Sequence, residues 1–308
     1  MADLDICVCV PARNEAGRLP TLLAALAAQT WQRPIPVAIA VNNTNDGSLA
    51  VIEQARVRYA ERLLLHVENV TFGPGQAHAG SARRLAMDTG LALLPARERG
   101  VLVSTDADTR PPPQWLEAIA SAVNRGADIV GGRIEIEQDE PLPESVVRLR
   151  AAWDRYWHEV RAIEDAEDPV PWDPAPRHGD HTGASLAIRA SLYEPCGGVP
   201  LLPAGEDVAL VNAALAQGAR LAHPAEVFTH VSPRRDGRAE GGMAAAMQIL
   251  FDQAASGVLP RAPALHHWHD RAVWRRTLRA RPGGHALIAQ QEPSLAPMPH
   301  DMVLEMGE

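Results

Sequence analysis

Short apolar runs alternate with amphipathic segments along the first 132 residues of the chain. Runs with the length of buried strands lie at residues 5–10, 35–41, 63–67, 101–103 and 128–132. Segments with helical propensity lie between them and after them, at residues 19–28, 48–62, 77–94 and 114–124. This alternation with short polar connections predicts an α/β fold. Its central sheet would be Rossmann-like and mostly parallel, with helices on both faces.

The pattern changes after residue 132. A long amphipathic helix is predicted at residues 144–162, and further helices at 206–216 and 243–255, with strand-like runs at 181–189 and within 220–231. Residues 164–180 are rich in Pro and Asp and too polar for a core element, so we expect a mobile loop there. From residue 257 onward Pro, His and Arg accumulate without periodicity. We expect a partly extended C-terminal arm, available for contacts in a homodimer.

Composition narrows the class of protein. Hydrophobic residues make up 46% and charged residues 22%, which is typical of a globular chain, and the formal net charge is −9. A negative chain is a poor candidate for binding nucleic acid through a basic surface. Three cysteines are too few for a disulfide framework or a zinc site. The sequence contains neither a signal-peptide layout nor 18 consecutive apolar residues, so we expect a cytoplasmic protein without a transmembrane segment.

Polar residues follow strands 1, 2 and 4 of the predicted sheet, at residues 11–15, 42–46 and 106–108. The carboxyl ends of parallel strands meet at one edge of a sheet, where such folds bind ligands. The carboxylates of Asp106 and Asp108 are ligands that suit Mg²⁺ or Mn²⁺. A polar turn explains the same residues, because Asp is common where a strand ends.

Two features elsewhere in the chain add candidate chemistry. His230 ends a strand-like run and would supply a nitrogen ligand compatible with Mn²⁺, although a surface histidine is the simpler interpretation. Glu206 and Asp207 open a predicted helix, where Asp207 could accept a proton from a hydroxyl group. Acidic residues at this position are also explained by the helix dipole alone.

Arginines form the third candidate group, since guanidinium groups match phosphate geometry. They are Arg13, Arg83, Arg84, Arg234, Arg235 and Arg238. The last three lie in a Gly-bearing loop and indicate an anion site, or else solvated charge paired with Asp236 and Glu240. The Gly73-Pro74-Gly75 turn is not a P-loop because no Gly-Lys-Ser/Thr follows, and strand 1 lacks the G-x-G-x-x-G of dinucleotide-binding folds.

With these residues in order, the chain resembles the family 2 glycosyltransferases of the GT-A fold. The resemblance is carried by VCVPARNE (8–15), VNNTNDGS (41–48), HAGSARRLAMDTG (78–90), STDADT (104–109), TGASLAIR (182–189), PAGEDVAL (203–210) and HVSPRRDGRAEGG (230–242). It implies a metal-dependent, inverting transfer of a sugar from a nucleoside diphosphate sugar to a hydroxyl of a small or soluble acceptor. Mg²⁺ or Mn²⁺ would be the cofactor.

The resemblance also implies a division of the chain and roles for individual residues. Residues 1–256 would form the glycosyltransferase domain, with a nucleotide-sugar-binding half at 1–132 and an acceptor-side half at 133–256, followed by the arm at 257–308. For the 164–180 segment, the polar composition itself indicates a loop over the crevice or an insertion on the acceptor side. The residues expected to bind the donor are Pro11, Arg13, Glu15, Asn43, Asp46, Arg83, Asp106, Arg234 and Arg238. The expected metal ligands are Asp106, Asp108 and His230, and the catalytic pair is Glu206 and Asp207, with Asp207 as the general base.

Two departures from the family pattern affect the expected nucleobase and the mode of transfer. Asn42 and Asn43 stand where the family often has an acidic pair that recognises the nucleobase, with Asp46 further on; an Asn amide can still bond to a base edge. The Q-x-x-R-W motif of processive, membrane-embedded members is missing, which argues for single transfer. Two alternatives stay open: a nucleotidyltransferase, disfavoured by the poorly glycine-rich PARNEAGRLP segment, and a non-enzymatic nucleotide-sugar-binding protein of the same fold.

Overall fold

The computed structural model of the protein describes residues 4–137, 142–232 and 243–306. Its strands are β1 (Asp5–Ala12), β2 (Ile35–Asn42), β3 (Leu63–Val70), β4 (Gly100–Ser104), β5 (Thr109–Arg110), β6 (Ile129–Gly131), β7 (Arg133–Ile136), β8 (Leu186–Arg189), β9 (Leu221–Ala222), β10 (Phe228–Val231), β11 (Arg261–Ala262) and β12 (Met302–Val303). Its helices are α1 (Leu19–Ala27), α2 (Ser48–Arg58), α3 (Ala79–Leu93), α4 (Trp115–Asn124), α5 (Glu144–Glu167), α6 (Ala190–Tyr193), α7 (Glu206–Ala216), α8 (Met243–Ser256), α9 (Leu265–Arg279) and α10 (Gly284–Gln291). A 3₁₀ turn covers Glu292–Ser294.

The main sheet of the described residues has the strand order β3-β2-β1-β4-β8-β6-β9. β1 pairs in parallel with β2 and with β4, and β2 pairs in parallel with β3. β8 runs antiparallel to both of its neighbours, β4 and β6. The α/β fold with a mostly parallel central sheet is confirmed, and β1, β2 and β4 end at the same edge.

Alternation of side chains along β1 divides the core between the two faces of the sheet. Val8 and Val10 pack in a cluster that includes Trp115, on the side of α1, α2 and α4. Cys7 and Cys9 point to the opposite face, into the cluster formed with α3, α6 and α7. Both cysteines are fully buried, as small core residues. The predicted placement of helices on both faces is confirmed.

A second sheet lies beside the main one, in the strand order β5-β10-β7. β5 begins immediately after Asp108, and its Thr109 lies opposite Val231 of β10. This pairing brings a late part of the chain next to the acidic turn at the end of β4.

Residues 164–180 differ from the mobile polar loop that the sequence predicts. α5 continues to Glu167, so Glu164 is helical and buried. Its carboxylate accepts hydrogen bonds from Arg161, Arg177 and Arg275. Burial alone would raise the pKa of Glu164, but these three guanidinium groups lower it. The polar composition of this stretch indicates exposure to solvent. Glu164 is buried nevertheless, because its charge and those of its arginine partners neutralise one another inside the fold.

The region after residue 257 also differs from the partly extended arm that the sequence predicts. α9 packs along α5, and α10 packs against α7 and α9. α9 buries only Ala272 and Leu278, and ion pairs such as Arg279 with Asp168 fix much of its remaining surface. A helix held by charges has little apolar periodicity to detect. Within the described residues, none of the helices combines the length and apolar character needed to cross a membrane.

Candidate active site

The loops that follow β1 and β2 are bound to each other at the carboxyl edge of the sheet. Asn14 accepts the backbone N–H of Asn45 at 2.8 Å, and its own N–H donates to Thr44 Oγ1 at 3.2 Å. Asp46 Oδ2 accepts the N–H of Ala16 at 3.0 Å, and its Oδ1 accepts the N–H of Ser48 at 2.9 Å, at the start of α2. The predicted meeting of these loops is therefore observed, and Asp46 helps to hold them together.

The other predicted donor-binding residues of these loops have defined positions. Asn43 has a φ of 45°, and its side-chain amide exchanges two hydrogen bonds with the backbone of Phe72. Arg13 is exposed and donates to the carbonyl of Ala77 at 3.2 Å. Glu15 is buried with its N–H bound to Ser48 Oγ, whereas Pro11 is half-buried within β1. Their contacts with a nucleotide remain a prediction.

Arg83, on α3, lies at the centre of the site and is 5% exposed. Its Nη2 donates to Asp106 Oδ1 and its Nε to Glu206 Oε1, both at 2.9 Å. Its Nη1 donates to Ser104 Oγ at 2.7 Å and to the carbonyl of Gly183 at 2.9 Å. One guanidinium thus joins the end of β4, the segment before β8 and the start of α7.

Electrostatics keep this arginine charged. Burial would lower the pKa of Arg83, but the carboxylates of Asp106 and Glu206 raise it well above its ordinary value, with a further contribution from Asp207. A buried cation with two carboxylate partners meets the condition for a stable internal ion pair, because all of its nitrogens donate hydrogen bonds. The sequence predicted Arg83 as a phosphate contact and did not reveal these partners.

Glu206 and Asp207 occupy the first turn of α7, as predicted, but their environments differ. Glu206 is buried and holds Arg83. Asp207 is half-buried; its Oδ2 accepts the N–H of Gly183 at 2.5 Å and its Oδ1 accepts the N–H of Val208 at 2.8 Å. Gly205, with a φ of 74°, makes the left-handed turn that starts the helix. Asp207 is thus oriented by backbone groups.

Gly183 is the residue through which these contacts meet. Its carbonyl accepts from Arg83 and from Ser104 Oγ, while its N–H binds Asp207. A Cβ placed on Gly183 would lie 2.4 Å from Arg83 Cζ, so any larger residue would force the guanidinium to move. The sequence marks residues 182–184 only as part of a family motif and does not indicate this role of Gly183.

The three predicted metal ligands lie on neighbouring parts of the fold, because β5 pairs with β10 directly after the acidic turn. Their ligand atoms do not all lie within 4.8 Å of one another. Asp106 and Asp108 lie in the turn between β4 and β5, both half-buried. His230 lies on β10 opposite Arg110, and its Nδ1 is 4.0 Å from Glu135 Oε2. Among the described residues, a different group has three potential ligand atoms within 4.8 Å of one another, and its members are His266, His267 and Asp301.

Not every predicted arginine lies at this site. Arg84 points away from Arg83 and bonds to Asp88 at 2.7 Å and to the carbonyls of Gly197 and Val199. The predicted donor-binding residues Arg234 and Arg238, and their neighbour Arg235, lie outside the described residues.

Sequence patterns do not reveal a chain of polar residues near Gly183, in which Asp173 and His223 are buried and His181 is half-buried. Asp173 accepts from the backbone N–H of His223 at 2.6 Å and lies 2.9 Å from its Nδ1, and His223 Nε2 is 3.4 Å from His181 Nδ1. Burial and the nearby His223 lower the pKa of His181, so its imidazole is neutral at neutral pH. No periodicity or motif signals such a chain, because its bonded pairs lie 50 and 42 positions apart in the sequence.

Comparison with known proteins assigns the chain to a family. The model of glycosyl transferase family 2 matches residues 7–171, which is more than half of the sequence. The protein belongs to glycosyl transferase family 2. The predicted family and enzyme class are confirmed. A comparison with curated protein sequences gives no match.

Solved structures show that this family member has the GT-A fold. A structure of S. aureus TarS in complex with UDP-GlcNAc is 16% identical, with a TM-score of 0.54, over 90% of this chain and 72% of that one. The mannosyltransferase PcManGT from Pyrobaculum calidifontis, in complex with GDP-Man and Mn²⁺, is 17% identical, with a TM-score of 0.54, over 94% of this chain and 80% of that one. These likenesses show the shared fold and confirm the predicted GT-A architecture.

Proposed function

We propose that this glycosyltransferase moves a sugar from a nucleoside diphosphate sugar to a hydroxyl group of a small or soluble acceptor, with inversion and with Mg²⁺ or Mn²⁺. The observation that carries the proposal is the position of Arg83 between Asp106 and Glu206, with Nη2 and Nε each 2.9 Å from a carboxylate oxygen. The acidic turn after β4 and the acidic start of α7 are thereby bound to the same guanidinium. Transfer requires the group that binds the donor diphosphate and the base that acts on the acceptor hydroxyl to lie close together.

The carboxylates of the acidic turn fit a hard divalent cation. Asp106 and Asp108 offer oxygen ligands, the type that Mg²⁺ and Mn²⁺ prefer, and Asp106 has a second oxygen besides the one bound to Arg83. His230 lies on β10, which pairs with β5 directly after Asp108, and this pairing supports His230 as the proposed nitrogen ligand. When bound, the cation would neutralise charge on the departing nucleoside diphosphate.

Asp207 is the residue we assign to accept the proton of the acceptor hydroxyl. Backbone N–H groups of Gly183 and Val208 hold its two oxygens, and each oxygen keeps a second lone pair for a hydroxyl donor. As the proton moves to Asp207, the acceptor oxygen bonds to the anomeric carbon and the bond to the diphosphate oxygen breaks. Attack from the face opposite the leaving group inverts the anomeric configuration.

The donor is proposed at the level of its chemical class. TarS is seen with UDP-GlcNAc and PcManGT with GDP-Man, so the shared fold accommodates different nucleobases and sugars. In this chain the amide of Asn43 is bonded to Phe72, and this residue pair lies beside the loops that would meet the base. Both UDP and GDP series therefore belong in a first screen.

Isothermal titration of the purified protein with UDP, GDP and their sugars, with Mn²⁺ or with EDTA, tests the proposal. We expect one series to bind with Mn²⁺ and to bind at least about tenfold more weakly with EDTA. Asp108→Asn should remove that metal dependence, whereas Asp154→Asn, at an exposed position on α5, should not. Binding that is equally tight with EDTA would contradict the metal-dependent mechanism.

A further inference from the structure

Two neighbouring imidazoles and a carboxylate meet at the start of α9, far from the candidate active site in the sequence. His266, His267 and Asp301 each offer one ligand atom, and these three atoms lie within 4.8 Å of one another. The rings of His266 and His267 are 3.9 Å apart between centroids, although consecutive residues of a helix ordinarily point in different directions. Asp301 reaches them from the C-terminal end of the chain.

The carboxylate is held in place by its surroundings. Asp301 Oδ1 accepts the N–H of Ala264 at 2.9 Å, which leaves Oδ2 directed at His267 Nε2, also at 2.9 Å. Arg261 donates to the carbonyls of His300 and Asp301, and β11 pairs with β12 immediately after them.

We infer that His266, His267 and Asp301 form a second, structural metal site that binds a transition ion of the Zn²⁺ type. Two imidazole nitrogens and one carboxylate oxygen are a ligand set that Zn²⁺ takes, with water in the fourth position. His266 and Asp301 are exposed, so a water ligand has access. The acidic turn after β4 differs in chemistry, because carboxylate oxygens dominate there and favour Mg²⁺ or Mn²⁺.

Metal at this position would fasten the C-terminal strand to α9 and, through it, to α5. Tyr156 of α5 donates to the carbonyl of Pro263 at 2.9 Å and accepts from Trp268 Nε1 at 2.6 Å. Ala262 and Leu304 are buried in the same small apolar cluster. A bound ion would join α9 to the segment that contains Asp301, in place of the single His267–Asp301 hydrogen bond. It would therefore stabilise the packing of residues 261–304 on the rest of the fold.

Direct binding of Zn²⁺ to nucleotide-free protein without a histidine tag tests the inference. Titration followed by elemental analysis after dialysis should give one tightly bound Zn²⁺ per wild-type chain. His266→Ala should weaken binding at least about tenfold, and Asp301→Asn should abolish it. Zn²⁺ should raise the melting temperature of the wild type by about 2 °C or more and leave that of His266→Ala unchanged.

Two controls separate this site from other sources of metal binding. His269→Ala changes an exposed histidine of the same helix that contacts Glu167 and Asp270 instead, and it should bind Zn²⁺ like the wild type. Asp108→Asn should also bind one Zn²⁺ per chain. The Zn²⁺ result is therefore independent of whether the proposed catalytic metal site is correct. Equal Zn²⁺ affinity in wild type and His266→Ala, or no Zn²⁺ bound by wild type, would overturn the inference.

Discussion

Arg83 and Glu206 lie 123 positions apart in the sequence, and Arg83 Nε donates to Glu206 Oε1 at 2.9 Å. Each side chain is only 6% exposed. The same guanidinium also binds Asp106. Together, these two ion pairs fix the start of α7, which carries Asp207, against the acidic turn after β4. The arrangement of the candidate site therefore depends on one buried cation.

Replacing Arg83 with Met should destabilise the protein strongly. Glu206 would be left as a buried carboxylate without its charged partner, which costs about 3 kcal/mol or more. Arg84→Met on the same helix removes a partly exposed pair with Asp88 and hydrogen bonds to the carbonyls of Gly197 and Val199, and it should cost about 1–2 kcal/mol. Urea unfolding of the three proteins measures both values. Equal losses for the two variants would show that the buried pair has no special role.

Gly183→Ala should disturb the site by displacing Arg83. The added Cβ would lie 2.4 Å from Arg83 Cζ, so the guanidinium must move away from Asp106 or Glu206. We expect a loss of stability of about 1–3 kcal/mol together with weakened metal-dependent nucleotide binding. Gly17→Ala is the matched control for stability, because a Cβ there meets no atom within 4 Å. Unchanged nucleotide binding by Gly183→Ala would argue against Arg83 as the organising group.

Asp207→Asn should remove the proposed base while keeping the donor site. The amide oxygen can still accept the N–H of Gly183, but the side chain no longer takes up a proton. We expect kcat to fall about 10²–10⁴-fold with the donor dissociation constant nearly unchanged. Steady-state kinetics and titration calorimetry separate the two effects, with the exposed Asp154→Asn as reference. Wild-type turnover by Asp207→Asn would exclude this residue as the base.

Acid should destabilise the fold through His178. Burial, with His223 and Arg133 nearby, lowers the pKa of His178 to about 3, whereas its ordinary value is 6.5. The unfolded chain therefore binds a proton below pH 6.5 that the folded chain does not, and stability falls as the pH falls. The expected loss from this residue is about 1 kcal/mol between about pH 7 and about pH 5.5.

Urea unfolding at those two pH values checks the sign and the size of this effect. His178→Asn should reduce the pH dependence, because it removes the group that titrates. His158→Asn, at an exposed position on α5, should leave the dependence as it is in the wild type. A free energy of unfolding that rises as the pH falls across this range would contradict the assignment.

The sequence predicted the positions of those candidate site residues that lie at the ends of strands or helices. Asp106 and Asp108 follow strand β4, and Glu206 and Asp207 begin helix α7, so element boundaries and parallel topology predict both pairs at the sheet edge. The difference between Glu206 and Asp207 was not predictable. It depends on a guanidinium from α3 and on a backbone N–H from the segment before β8.

The sequence did not predict the packing of elements that are held in place by ion pairs. Glu164 and Asp173 lie in a stretch whose composition indicates an exposed loop, yet both are buried with arginine or histidine partners. α9 is likewise fixed by Arg275 and Arg279 rather than by an apolar stripe. Hydrophobic periodicity cannot reveal such packing, because the partners are distant in sequence and neutralise one another only in the fold.

Time-resolved ¹H NMR of the sugar first released from an α-linked donor tests the proposed inverting transfer most directly. The donor is the one selected by the titrations with Mn²⁺, and water serves as the acceptor in place of the natural hydroxyl. Deprotonation by Asp207 and single displacement predict that the β-anomer appears first and that Asp207→Asn releases none at a comparable rate. First appearance of the α-anomer, or equal release by Asp207→Asn, would contradict the mechanism.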